Sequence, residues 1–222
     1  VIKWDVINFT LTRLEINFFM MRIGINIDGV LRNLLGKLVA THTRYYDGDV
    51  DINNIVDYEL EKYFDFTTSG ETSTGTLTQF FYEDCSLEIF GYANEIEDQI
   101  VKKLNDFIKR CGEENEVILL TRECGRAIPS TLFFLSKTGS MCKNIKVIPS
   151  YKEMWDECDM LITTFPEVLK TKPEDKIAIK IEREYNKKDK ADYSSKSTTE
   201  VLEEGYIEKI INTKTVEYKE LN

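Results

Sequence analysis

Short apolar runs alternate with amphipathic stretches along most of the chain. Residues 22–27 (RIGINI) are apolar and β-branched and stop at Asp28-Gly29, which reads as a strand followed by a turn. Val30, Leu31, Leu34, Leu35, Leu38 and Val39 then recur at helical spacing and predict a helix over about 30–46. A polar DGDVDINN stretch follows, then a short helical piece at about 58–64 and a Thr-, Ser- and Gly-rich loop over 65–78. The clearest helical stripe runs through Ile96, Ile100, Val101, Leu104, Phe107, Ile108 and Cys111, with Asn94 placed to cap its start and Gly112 to end it. Next come a buried-strand pattern at 117–120 closing on Thr121, and a helix over 127–137 with Pro129 in its first turn. Strands at 145–148, 160–162 and 176–181 alternate with short helical pieces, and a last helix spans 198–211.

Apolar strands separated by amphipathic helices predict an α/β fold: a three-layer sandwich whose mostly parallel, Rossmann-like sheet carries helices on both faces. Ligands in such sheets bind beyond the carboxyl ends of the strands. The positions to examine are therefore Asn26, Asp28, Thr121, Thr163 and Thr164. The main domain is expected over 21–215, with a small cap insertion at about 47–93 that is rich in aromatic residues. Residues 1–20 read equally well as a dispensable extension or as an added edge strand, since Ile7, Phe9 and Leu11, then Leu14, Ile16 and Phe18, partly alternate.

Charge and composition remove several alternatives. A formal charge of −10 argues against a protein whose main work is neutralising nucleic-acid phosphates. No apolar run approaches the roughly 20 residues needed to cross a bilayer, so no membrane partner is expected. His42 is the only histidine, which leaves no room for multi-histidine metal sites and makes any histidine relay depend on one helix residue best read as structural. Cys85, Cys111, Cys124, Cys142 and Cys158 form no CxxC pair and fit neither a disulfide framework nor a zinc ribbon, which points to a reducing cytoplasm. Cys124 lies near the strand end without a histidine partner, and Arg122 and Arg126 flank it as anion contacts or plain edge charges. The run Lys187, Lys188, Lys190 is broken by Asp189 and reads as a solvated loop.

Four segments in order carry a family resemblance. I-N-I-D-G-V-L at 25–31 resembles motif I of the haloacid dehalogenase-like phosphohydrolases, a strand followed by D-x-D-G-[TV]. V-I-L-L-T ending at Thr121 is similar to motif II, Lys152 in P-S-Y-K-E to the motif III lysine, and C-D-M-L-I-T-T-F-P-E-V-L at 158–169 to motif IV. E-R-E-Y-N at 182–186 resembles a segment of the short nucleotidase-like members, many of them encoded by bacteriophages. The likeness spans about residues 21–210.

The resemblance implies a chemistry in which a motif I aspartate attacks phosphorus, a second aspartate handles the leaving-group proton, and magnesium bridges the first aspartate and a motif IV acid. Carried over, the nucleophile position is Asn26, the acid/base position Asp28, the phosphate contacts Thr121 and Lys152, and the metal-acid positions Thr163 and Thr164. Asn26 lacks the anionic oxygen needed for attack, and two threonines stand where the paired acids belong. The expectation is a phosphatase fold without phosphatase chemistry, needing no cofactor, that binds a small phosphate compound or a protein partner, viral if the chain is phage-encoded. Such a chain would work in a host cytoplasm or a virion. The alternative is a magnesium-dependent 5′-nucleotidase-type phosphohydrolase whose site is rearranged, with Asp28 joined by Asp159 or Glu167 as substitute ligands. Asp28 also reads as an ordinary turn residue, Thr121 as a cap, and Lys152 as a solvated lysine.

Overall fold

The structure is a computed structural model that describes residues 20–46, 49–66, 75–111 and 115–220, with side chains followed to residue 213. Six strands form one sheet: β1 (Met21–Asn26), β2 (Asn115–Thr121), β3 (Ile145–Val147), β4 (Met160–Thr163), β5 (Ile177–Ile181) and β6 (Tyr193–Ser195). Their order is β3-β2-β1-β4-β5-β6, and every pairing among them is parallel. The helices are α1 (Leu34–Tyr45), α2 (Leu77–Gln79), α3 (Ile100–Cys111), α4 (Ala127–Lys137), α5 (Met154–Glu157), α6 (Pro166–Lys170), α7 (Thr198–Leu202) and α8 (Tyr206–Glu220).

The alternation of side chains along each strand divides the core in two. Ile23, Ile25, Leu119, Ile162 and Ile179 face one way and pack with Ile100, Leu104 and Phe107 of α3, Phe134 of α4, Val201 of α7 and Ile207 of α8. Ile118, Leu120, Leu161 and Ala178 face the other way, against Met154 and Trp155 of α5 and Val168 and Leu169 of α6. Gly24 belongs to this second face: a Cβ there would come within 2.9 Å of both Cys158 Sγ and Leu120 Cδ1. A third cluster stands apart from the sheet and joins Leu34 and Leu38 of α1 to Ile55, Phe64, Phe66, Phe80, Phe81 and Phe90. His42 is buried there, its ring centroid 5.1 Å from those of Tyr46, Phe64 and Phe66, and its Nε2 is 2.6 Å from the Asp65 carbonyl. The histidine is a packing residue of α1, set among Tyr46, Phe64, Phe66 and Phe80.

Several element boundaries differ from the sequence expectation. Helix α1 begins at Leu34, not residue 30, because the Ile27 carbonyl accepts from both Leu31 N and Arg32 N at 2.9 Å and turns the chain first. Gly29 takes φ +73° in that turn, and Asn33 caps the helix by accepting from Gly36 N. Helix α3 begins at Ile100 because residues 94–96 are tied to the same turn: Asn33 N donates to the Asn94 carbonyl and Ile96 N to the Leu31 carbonyl, both at 2.9 Å. The cap is Glu95, whose Oε1 accepts from Val101 N at 2.7 Å, not Asn94, and Gly112 lies outside the described residues. The last helix is two, α7 and α8, with Gly205 at φ +88° between them. The piece at 58–64 is a single 3-10 turn, Leu60–Lys62, and two π-helical turns, Phe80–Asp84 and Leu87–Gly91, follow α2. Strand β6 had no counterpart in the apolar pattern, since Tyr193–Ser195 is an edge strand of polar residues. The proposed edge strand within residues 1–20 falls almost wholly outside the described residues, as do residues 67–74 of the loop.

Candidate functional site

The parallel sheet brings Asn26 at the end of β1, Thr121 at the end of β2, and Thr163 and Thr164 at and beyond the end of β4 to one edge. This floor is closed and neutral. Asn26 has no exposed surface; its side-chain amide lies 3.4 Å from the Leu120 carbonyl and 3.3 Å from Met154 Sδ, and its Oδ1 has no partner. Thr163 and Thr164 are also wholly buried. Thr163 Oγ1 accepts from Phe165 N at 3.0 Å, and Thr164 Oγ1 donates to the Asp28 carbonyl at 3.3 Å. Both hydroxyls are therefore committed to the backbone. Thr121 Oγ1 is buried without a partner. Lys152 lies on an exposed turn and is not among the residues lining the cavity described below.

Asp28 lies just beyond β1 and is tied into an ionic cluster. Arg32, fully buried, donates from Nε to Asp28 Oδ1 at 2.7 Å, from Nη1 to the Phe90 carbonyl at 3.0 Å and to Thr131 Oγ1 at 2.8 Å, and from Nη2 to Glu123. One guanidinium thus joins the strand edge, the insertion and α4. It holds two carboxyl groups, and burial together with the neighbouring Asp28 charge pushes Glu123 up to about 8. Glu123 Oε1 accepts from Arg32 Nη2 and from Thr131 Oγ1, the latter at 3.1 Å, while Glu123 Oε2 is buried without a hydrogen-bond partner. Sequence reading missed both Arg32 and Glu123. The available signal, for Arg32 alone, was a charged residue four positions after Asp28, following Val30 and Leu31.

Above the floor lie aromatic side chains. Tyr58 is 5.1 Å from Phe165 and 5.2 Å from Tyr185, and Tyr151 is 5.2 Å from Phe165, centroid to centroid. Burial pushes Tyr58 well above its ordinary value and Tyr185 up to about 12, so these hydroxyls stay protonated. The Tyr185 hydroxyl bonds to Thr164, and a Cβ on Gly29 would lie 2.9 Å from that hydroxyl oxygen. Between these rings and the insertion is a cavity of about 350 Å³. Asp28 and Glu123 form part of its wall, with Tyr82, Phe90 and Phe81 from the insertion, and Arg122, Tyr151 and Glu167 from the sheet side.

The donor set that would have to hold a magnesium ion does not fit one. Asn26, Thr163 and Thr164 are neutral and enclosed, and Asp28 is engaged by Arg32. Among the described residues no three His, Cys, Asp or Glu side chains converge as a metal-holding group. Of the substitute ligands, Asp159 lies at the opposite, amino edge of the sheet, where it pairs with Arg22 and Lys176 at 2.9 Å each; only Glu167 shares the cavity with Asp28. No helix among the described residues is long and apolar enough to cross a membrane.

No family model and no curated protein matches the sequence. Among solved structures, a Burkholderia xenovorans LB400 protein described as a haloacid dehalogenase-like hydrolase is similar with a TM-score of 0.53, at 10% identity, over 84% of this chain and 96% of that one. Strand order and this likeness agree on an α/β, Rossmann-like fold similar to that of a haloacid dehalogenase-like hydrolase.

Proposed function

We propose that this chain is a catalytically silent form of the haloacid dehalogenase-like fold that works by binding. The observation that carries this reading is the closed, neutral floor: the nucleophile position holds a buried amide, and the metal-acid positions hold two buried threonines bonded to backbone. An amide oxygen cannot form an acyl-phosphate, and without carboxylates nothing there offsets the charge between an attacking group and a phosphate. Asp28, the acid/base position, is held by Arg32, whose Nε donates to Asp28 Oδ1 at 2.7 Å. The cavity above the floor remains as a binding site. The setting proposed for such a protein is a phage-infected cell or a virion, on the strength of the resemblance of its motifs to phage-encoded members.

A magnesium-dependent 5′-nucleotidase-type reaction is the second reading, favoured by the presence of Asp28 and Glu167 in one cavity wall. Phosphate release from nucleoside monophosphates and an aryl phosphate, with magnesium, separates the two. The expected result is release no faster than in buffer. Release that disappears in Asp28→Asn would overturn the silent reading.

A further inference from the structure

We propose that the cavity between the sheet edge and the insertion is a site for a small organic ammonium ion. The inference rests on the silent-fold reading and names the ligand class of the same site. The walls are rings: Tyr58, Tyr151 and Phe165 on one side, Phe81, Tyr82 and Phe90 on the other. The faces of such rings carry the negative end of a quadrupole and attract cations, most strongly where water is excluded. Two of these rings already hold guanidinium groups of the chain itself. Arg122 Cζ stands 4.4 Å from the Tyr151 centroid, and Arg32 Cζ 5.0 Å from that of Phe90.

The charge of the wall has the same sign preference. Asp28, Glu61, Glu123 and Glu167 line the cavity with one cation, Arg122. Arg32 balances Asp28 and Glu123 from behind the wall, and Glu61 and Glu167 face Arg122, with Lys170 Nζ 3.9 Å from Glu167 Oε1. Glu167 Oε2 is buried without a hydrogen-bond partner, an acceptor that a ligand N–H or a polarised ammonium methyl group can satisfy. A phosphate would instead meet this acidic wall, with Lys152 outside the lining and the chain at −10. A volume of about 350 Å³ accommodates a compact ion of the size of choline with room for water.

Calorimetric titration of the full chain at low salt tests this with three probes: choline, its uncharged isostere 3,3-dimethyl-1-butanol, and inorganic phosphate. The expected result is one-to-one saturation by choline, at least tenfold weaker binding of the isostere, and none of phosphate. Glu167→Gln should weaken choline at least fivefold without moving the thermal transition, and Tyr151→Leu should weaken it at least fivefold by removing a ring from the wall. Equal binding of choline and the isostere, absence of choline binding, or saturable binding of phosphate in its place overturns the proposal. These outcomes are independent of the phosphate-release assay, so an active enzyme and an empty cation site give different results.

Discussion

The floor of the site and the cavity above it lie within a few side chains of each other, yet they treat charge in opposite ways. The floor holds Asn26, Thr163 and Thr164, all neutral and without exposed surface. The cavity wall carries four acids among rings, and the deepest two share Arg32. Charge at this sheet edge lies not at the strand ends but on Asp28 and Glu123, which bind the protein's own Arg32.

The largest expected effect comes from the link between the two regions. Arg32→Met leaves Asp28 and Glu123 buried without their cation and should cost about 3–5 kcal/mol in urea unfolding. Adding Asp28→Asn and Glu123→Gln should recover much of that loss; a loss below about 1 kcal/mol in the single variant would mean that the cluster does not join floor to wall. Gly29→Ala comes next. It places a side chain at φ +73° and drives its Cβ against Thr164 Oγ1, for an expected loss of roughly 1–3 kcal/mol.

A third effect is pH dependence. Glu123 is raised from an ordinary 4.5 to about 8 in the folded chain, so folding favours its protonated form. The stability it contributes is fully present below about 4.5 and is lost as pH rises through about 8. Urea midpoints should therefore fall across that window, and Glu123→Gln, which keeps the neutral shape, should flatten the profile. A profile unchanged by Glu123→Gln would place the proton elsewhere. The smallest effect is expected at Lys152→Ala: because this lysine is exposed and outside the cavity lining, stability should stay within about 0.5 kcal/mol and choline affinity should not change.

How much of this was legible in the sequence depended on burial on both faces of the sheet. Strands such as β2 and β5 read directly, because parallel strands covered by helices are continuous apolar runs, and their ends located Asn26, Thr121 and Thr163. Edge strand β6 gave no such run. The starts of α1 and α3 were misread for one shared reason: Val30, Leu31 and Ile96 are apolar because they pack on the core from turns, not because they are helical. The strand-end positions were visible, but their surroundings were not. That Asn26 and the threonines are sealed, that Arg32 binds two carboxyl groups, and that Lys152 lies off the cavity all follow from contacts between residues distant in sequence.

The central claim is that the strand-end floor no longer holds a divalent cation. Manganese binding followed by electron paramagnetic resonance tests it most directly, comparing the chain with an Asn26→Asp, Thr163→Asp, Thr164→Asp variant. The account predicts only weak, non-stoichiometric association in the unaltered protein and one new stoichiometric site in the variant. A single stoichiometric manganese site in the unaltered protein, lost in Asp28→Asn, would contradict it.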